Sequence, residues 1–189
     1  MKVSVLSILS KRTVTAAIVS ICCICGVLFL SCGKSKTNNT TVDNSMQIQN
    51  SNEIIVKFSL PDINGNIVSA ENVFAENKIT IIDFWASWCG PCRKEMPNLV
   101  NIYNMYHDKG LGILGVSLDQ DRQQWETAIE SLGIKWLQLS DLNGWENTAA
   151  RQFDVNSIPY TIIVDNKGVI LATDLRGEEL QAFVAERLD

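Results

Sequence analysis

Read for the spacing of its apolar positions, the chain divides into a leading apolar block, a polar stretch, and an alternation of strand-like and helix-like segments. Val14 to Leu30 is a 17-residue span dominated by apolar side chains. From Gly33 to about Asn52, Lys, Ser, Thr, Asn and Gln leave little to bury, which predicts a flexible tether. Ile55 to Pro61 and Asp62 to Ser69 then place apolar residues around Asn64-Gly65, two residues that tolerate positive φ, and so predict a β-hairpin. Ile79 to Trp85 is a β-branched and aromatic run that reads as a buried strand. Met96, Leu99, Val100, Tyr103 and Tyr106 follow helical spacing, giving a helix kinked at Pro97 and ended by Gly110.

The alternation continues to the C-terminus. Leu111 to Leu118 predicts a strand; Trp125, Ala128, Ile129 and Leu132 predict an amphipathic helix; Trp136 to Leu139 predicts a short strand; and Glu146 to Phe153 predicts a shorter helical piece. Tyr160–Asp165 and Val169–Thr173, joined through Asn166-Lys167-Gly168, predict an antiparallel hairpin. Leu180, Phe183, Val184 and Leu188 form the stripe of a last helix with Glu178 and Glu179 in its first turn, where the dipole favours acids. Strand, helix, strand in this order implies a right-handed crossover. The expected fold class is α/β: a mixed sheet of about five strands, helices on both faces and the leading hairpin at its edge.

Composition narrows the function. At 46% apolar and 20% charged, the 189 residues suffice for one well-buried domain and an extension. The first 31 residues hold Lys2, Lys11, Arg12 and no acid, leaving 13 basic and 21 acidic groups beyond them. That balance argues against nucleic acid binding and against a polybasic membrane patch.

The candidate chemistry lies where the buried strand meets the helix, in Trp88-Cys89-Gly90-Pro91-Cys92. A cysteine at a helix N-terminus faces unpaired backbone N–H groups and the positive end of the dipole, so its thiolate is favoured. The dipole contributes about 0.3–1 kcal/mol, up to about 2 when partly buried, which lowers a thiol by roughly one pKa unit. Any larger effect needs hydrogen bonding from Cys92 or a cation such as Arg93 or Lys94. Cys89 is therefore the candidate nucleophile and Cys92 the resolving thiol. A structural disulfide and half of a zinc site are the competing readings; no metal is expected, because His107 is the only histidine and no second cysteine pair follows. His107, near a helix end, reads as a surface residue interacting with the dipole.

Asp83-Phe84-Trp85-Ala86-Ser87-Trp88-Cys89-Gly90-Pro91-Cys92, followed by Pro97 and later by Ile158-Pro159 before a strand, resembles the active-site pattern of thioredoxins. From about Ile55 to Asp189 the chain resembles the TlpA/ResA-like extracytoplasmic branch. The resemblance implies a thioredoxin-like fold with an N-terminal β-hairpin and a central helix-strand insertion between Ser117 and Phe153. It implies a cis Ile158–Pro159 bond, and a platform of Trp88, Gly90, Pro91, Ile158 and Pro159 against which a substrate chain lies. Asp83 sits in a strand expected to be buried, where a bare carboxylate is costly unless paired or protonated. It is either a structural acid satisfied by a lysine or water or, matching the buried acid of thioredoxins, a proton acceptor for Cys92.

The leading block reads as a targeting segment: Lys2, Lys11 and Arg12 form its basic start, Val14 to Leu30 its apolar core, and Phe29-Leu30-Ser31-Cys32 resembles a lipobox. The expected organisation is a lipoprotein signal peptide over 1–31, lipidation at Cys32, a tether over 32–52 and a thioredoxin-like domain over 53–189. An uncleaved signal-anchor is the competing reading. Either places the domain in an extracytoplasmic space, facing the periplasm.

The expected function is thiol–disulfide exchange through Cys89 and Cys92 without a cofactor, reducing disulfides of extracytoplasmic proteins, such as in cytochrome c maturation as the resemblance implies. The partners are protein disulfides, an upstream membrane thiol donor and the membrane itself through a lipid anchor, with the chain acting as a monomer. Two alternatives stand beside it. A peroxiredoxin-like thiol peroxidase fits poorly, because Ala86-Ser87-Trp88-Cys89 lacks the Thr-x-x-Cys setting. In a non-catalytic, lipid-anchored binding module the cysteines would be a staple.

Overall fold

The computed structural model describes residues 54–189, which belong to one unit, Ile48–Asp189. The signal segment 1–31, Cys32 and the tether 32–52 lie outside the described residues. Strands β1 (Ser59–Pro61) and β2 (Ile67–Ser69) form the leading hairpin, antiparallel with Leu60 opposite Val68. Its turn differs from the expected one in detail. Gly65 alone takes a positive φ, and the Asp62 carboxylate accepts the N–H groups of Asn64 and Asn66, both at 2.8 Å. The aspartate side chain thus replaces the second left-handed residue.

Helix α1 (Ala70–Ala75), which no periodicity announced, follows β2 directly and buries Ala70 and Phe74. Strand β3 (Ile79–Trp85) leads through a short turn to helix α2 (Gly90–Tyr106). The helix continues through Pro97, and a 3₁₀ turn over His107–Lys109 with left-handed Gly110 ends it. Its buried stripe is Cys92, Met96, Leu99, Ile102 and Tyr106, so Ile102 replaces the expected Val100 and Tyr103, which are only partly buried. Steps of four, three, three and four residues keep that set on one line. Tyr103 flanks it and packs on Trp136 and His107 instead.

The remaining elements are β4 (Leu111–Ser117), α3 (Arg122–Ser131), β5 (Leu137–Leu139), α4 (Thr148–Gln152), β6 (Tyr160–Asp165), β7 (Ile170–Thr173) and α5 (Gly177–Leu188). They complete a five-stranded sheet in the order β5-β4-β3-β6-β7. The β3, β4 and β5 strands are parallel, while β6 is antiparallel to β3 and β7 antiparallel to β6. Every residue of β3 and of β4 is buried, which requires cover on both faces of the sheet. The described chain begins along β7, where Ile55 bridges Val169, and reaches the opposite edge, where Asp62 bridges Leu139. The hairpin therefore sits at the sheet edge, as expected.

Topology fixes where chemistry can occur. Trp85 pairs with Ser117 and Val116 with Leu139, so β3, β4 and β5 end together. Phe84 pairs with Tyr160, so antiparallel β6 begins at that same end. Four connections therefore converge there: 86–89, 118–121, 140–147 and 156–159. In open α/β sheets the crevice outside the strand carboxyl ends is the ordinary place for a site. Gly115 in β4 serves the arrangement by its lack of a side chain: a Cβ there would lie 2.2 Å from the Gln138 amide, whose Oε1 accepts the buried Trp85 Nε1–H at 2.9 Å.

Candidate active site

The Ala86–Trp88 turn ends in Cys89, the N-cap of α2. Its Sγ accepts the Cys92 backbone N–H at 3.1 Å, one of the N–H groups a helix start leaves unpaired. The two cysteines form a disulfide with Sγ atoms 2.03 Å apart. Cys89 is 5% exposed and Cys92 only 1%, so the outer sulfur is the one a partner can reach. Cys89 Sγ also lies 3.8 Å from the carbonyl oxygen of Ile158, whose bond to Pro159 is cis.

A groove of about 400 Å³ opens beside Cys89. Trp88, Gly90, Pro91 and Ile158, four of the five residues of the platform that the resemblance implies, line it. The fifth, Pro159, is buried and is not among the lining residues. Three residues that the motif did not point to complete the lining, namely Asn156, Ser157 and Trp145. Trp145 is the one aromatic between Asp141 and Asn147, a stretch whose other large apolar residue is Leu142. No spacing in the sequence marked it.

The turn before Cys89 is held by another residue that sequence reasoning passed over. Asp119, buried after β4, accepts the Ser87 N–H at 3.0 Å, the Ser87 hydroxyl at 2.5 Å and the Ser117 hydroxyl at 2.7 Å. Ser140 extends the network by donating to the Ser117 carbonyl at 2.8 Å. A buried carboxylate with three donors is satisfied, and it ties the end of β3 to that of β4, while the Ser140 bond brings in the end of β5.

Asp83 is different. It is 2% exposed in the middle of β3, and its Oδ2 has no hydrogen-bond partner among the described residues. Burial first, and the negative charge of Glu95 second, push its pKa up to about 7. Neither the lysine of the structural alternative nor any other cation pairs with it among the described residues. A carboxyl poised near neutrality can hold or release a proton under ordinary conditions. His107 is exposed at the opposite end of α2, against Tyr103, and takes no part in the site.

Comparison with known proteins agrees with this geometry. The family described as AhpC/TSA matches residues 52–173. The chain is 31% identical over 114 residues to the thiol:disulfide interchange protein HelX of Rhodobacter capsulatus, an alignment covering 60% of this chain and 61% of HelX. It is 25% identical to the thiol-disulfide oxidoreductase ResA of Bacillus subtilis, over 60% of this chain and 61% of ResA. The chain thus spans about three-fifths of the length of these two relatives. Among solved structures, a thiol-disulfide oxidoreductase from Bacteroides fragilis superposes with a TM-score of 0.65 at 34% identity, covering 70% of this chain and 97% of that one.

Proposed function

This chain belongs to the AhpC/TSA family, and we propose, from its likeness to HelX and ResA, that it is a thiol–disulfide oxidoreductase of that type, reducing disulfides in proteins outside the cytoplasm. The observation that carries the reading is the placement of the cysteine pair. Its reachable sulfur caps α2 and lines a groove in which a polypeptide can lie.

In the reduced protein the Cys89 thiolate, held by the Cys92 N–H and the helix dipole, attacks one sulfur of a partner's disulfide. The partner's S–S bond breaks, a mixed disulfide with Cys89 forms, and the partner's other sulfur leaves as a thiolate and takes a proton. Cys92 then passes its proton to Asp83 and attacks Cys89 Sγ, expelling the partner's second sulfur, which is protonated in turn. The partner gains two electrons and two protons, and the Cys89–Cys92 disulfide is the oxidised product. A membrane dithiol donor restores the pair. Trp88, Gly90, Pro91 and the Ile158 backbone hold the partner's chain, while Pro159 supports Ile158 from behind.

Direction follows from Gly90-Pro91, the dipeptide found at the reducing end of the thioredoxins that the motif resembles. Cleavage of a signal over 1–31 and lipidation at Cys32 put the domain on the periplasmic side, on the tether 32–52; the chain takes up labelled fatty acid, and Cys32→Ala abolishes that labelling. The test of the activity is exchange with a cystine peptide. Reduced protein converts the peptide to its dithiol, Cys89→Ser abolishes conversion, and Cys92→Ser accumulates the mixed disulfide. A folded Cys89→Ser protein that retained function would show that the pair is a staple.

A further inference from the structure

Of the five tryptophans in the chain, Trp85, Trp125 and Trp136 are buried. The two exposed ones, Trp88 at 52% and Trp145 at 45%, meet beside the disulfide with ring centroids 6.3 Å apart and planes tilted by 55°. Leaving two indoles in water forgoes the large gain that burying either would give. An apolar patch of this kind marks an interaction surface.

Trp145 is also held firmly in place. Gly144 before it has φ +59°, and a Cβ there would approach the Gln120 side chain to 3.1 Å. The Asp141 carboxylate accepts the Asn143 N–H at 3.2 Å and the Asn147 side-chain amide, the Thr148 N–H and the Thr148 hydroxyl, each at 2.9 Å. Buried Asn147 accepts the N–H groups of Ala149 and Ala150, both at 3.1 Å, capping α4. Fixed points thus bracket residue 145 on both sides, and a side chain presented on a fixed turn binds with little ordering cost. Apart from Cys89 itself, none of the residues lining the groove is ionisable, so its occupant is uncharged there.

We propose that Trp145 is a specificity-determining residue: with Trp88 it receives an aromatic or large aliphatic side chain standing next to the attacked cysteine of a partner polypeptide. The inference rests on the oxidoreductase reading and names which disulfides that activity favours. The reacting sulfur and both indoles line one groove, so a cystine docked on Cys89 lays its flanking side chain against the indole pair. An aromatic ring so placed gains edge or offset contacts with each indole, equivalent to about three- to tenfold in affinity per pair.

The experiment compares two synthetic peptides, each with one intramolecular disulfide, identical except for Phe or Gly beside one cysteine. The readout is the ratio of their kcat/KM values with the reduced protein, with KM and kcat determined separately. The wild type favours the Phe peptide about tenfold, chiefly through KM. Trp145→Ala brings the ratio toward one, and Trp145→Phe keeps most of it. A wild-type ratio near one overturns the inference, as does a ratio that Trp145→Ala leaves unaltered. Absence of exchange with either peptide in the wild type overturns the oxidoreductase reading itself, and this inference with it.

Discussion

The backbone N–H of Cys92 points at Cys89 Sγ from 3.1 Å, so an open donor in the first turn of α2 is already aimed at the sulfur on which negative charge develops. The same turn leaves Cys92 almost wholly buried. After reduction, Cys89 is therefore alkylated by iodoacetamide at neutral pH at least about tenfold faster than Cys92, because the thiolate is both the reactive form and the accessible one. Mass spectrometry of partially alkylated protein checks this. Comparable rates at both cysteines would contradict the assignment of nucleophile and resolving thiol.

Asp83 gives the stability of the protein a particular pH dependence. Its carboxyl ionises near 3.8 in an ordinary setting and near 7 in the fold. Between those values the folded protein holds a proton that the unfolded chain has lost. The contribution to stability is therefore full below about pH 4, falls as pH rises through 7, and is level above that. Asp83→Asn removes this slope and raises stability above pH 7 by a few kcal/mol, at about 1.4 kcal/mol for every pKa unit by which burial lifts the carboxyl. The same substitution takes away the acceptor for the Cys92 proton, so the mixed disulfide persists longer while its formation is retained. Denaturant midpoints across pH and single-turnover exchange read the two effects separately.

Asp119 is expected to be the most costly position to substitute in the loops around the site. Asp119→Ala strips three hydrogen bonds from a buried position and leaves the Ser87 N–H and two hydroxyls without their acceptor. A loss of about 2–4 kcal/mol follows, since orphaned buried donors cost more than the net value of their bonds. Equilibrium unfolding measures it. Unchanged stability would mean that the Ser87 turn does not depend on the network.

Much of this architecture was legible because buried strands and amphipathic helices obey fixed periods. Ile79–Trp85, Leu111–Ser117 and Tyr160–Asp165 are long enough to declare themselves. Ala70–Ala75 is not: six residues give less than two turns, too few for a pattern to repeat. The cysteine pair, Trp88 and Ile158 were visible as a motif, and the buried position of Asp83 followed from its strand. Asp119 and Trp145 were invisible for a different reason. Each acts through the end of a strand or a short turn, where function depends on which chain ends the sheet brings together, and single-segment spacing carries no record of that.

Whether Cys89–Cys92 works as a reductant of other proteins' disulfides is decided by its midpoint potential. Equilibration of the protein against glutathione or dithiothreitol buffers, with oxidised and reduced fractions resolved after alkylation, gives the value. A reductant has a potential at or below about −220 mV, in the range of thioredoxins and glutaredoxins, and that is the expected result. A potential above about −180 mV, and above all one near −120 mV, would make the pair an oxidant and contradict it.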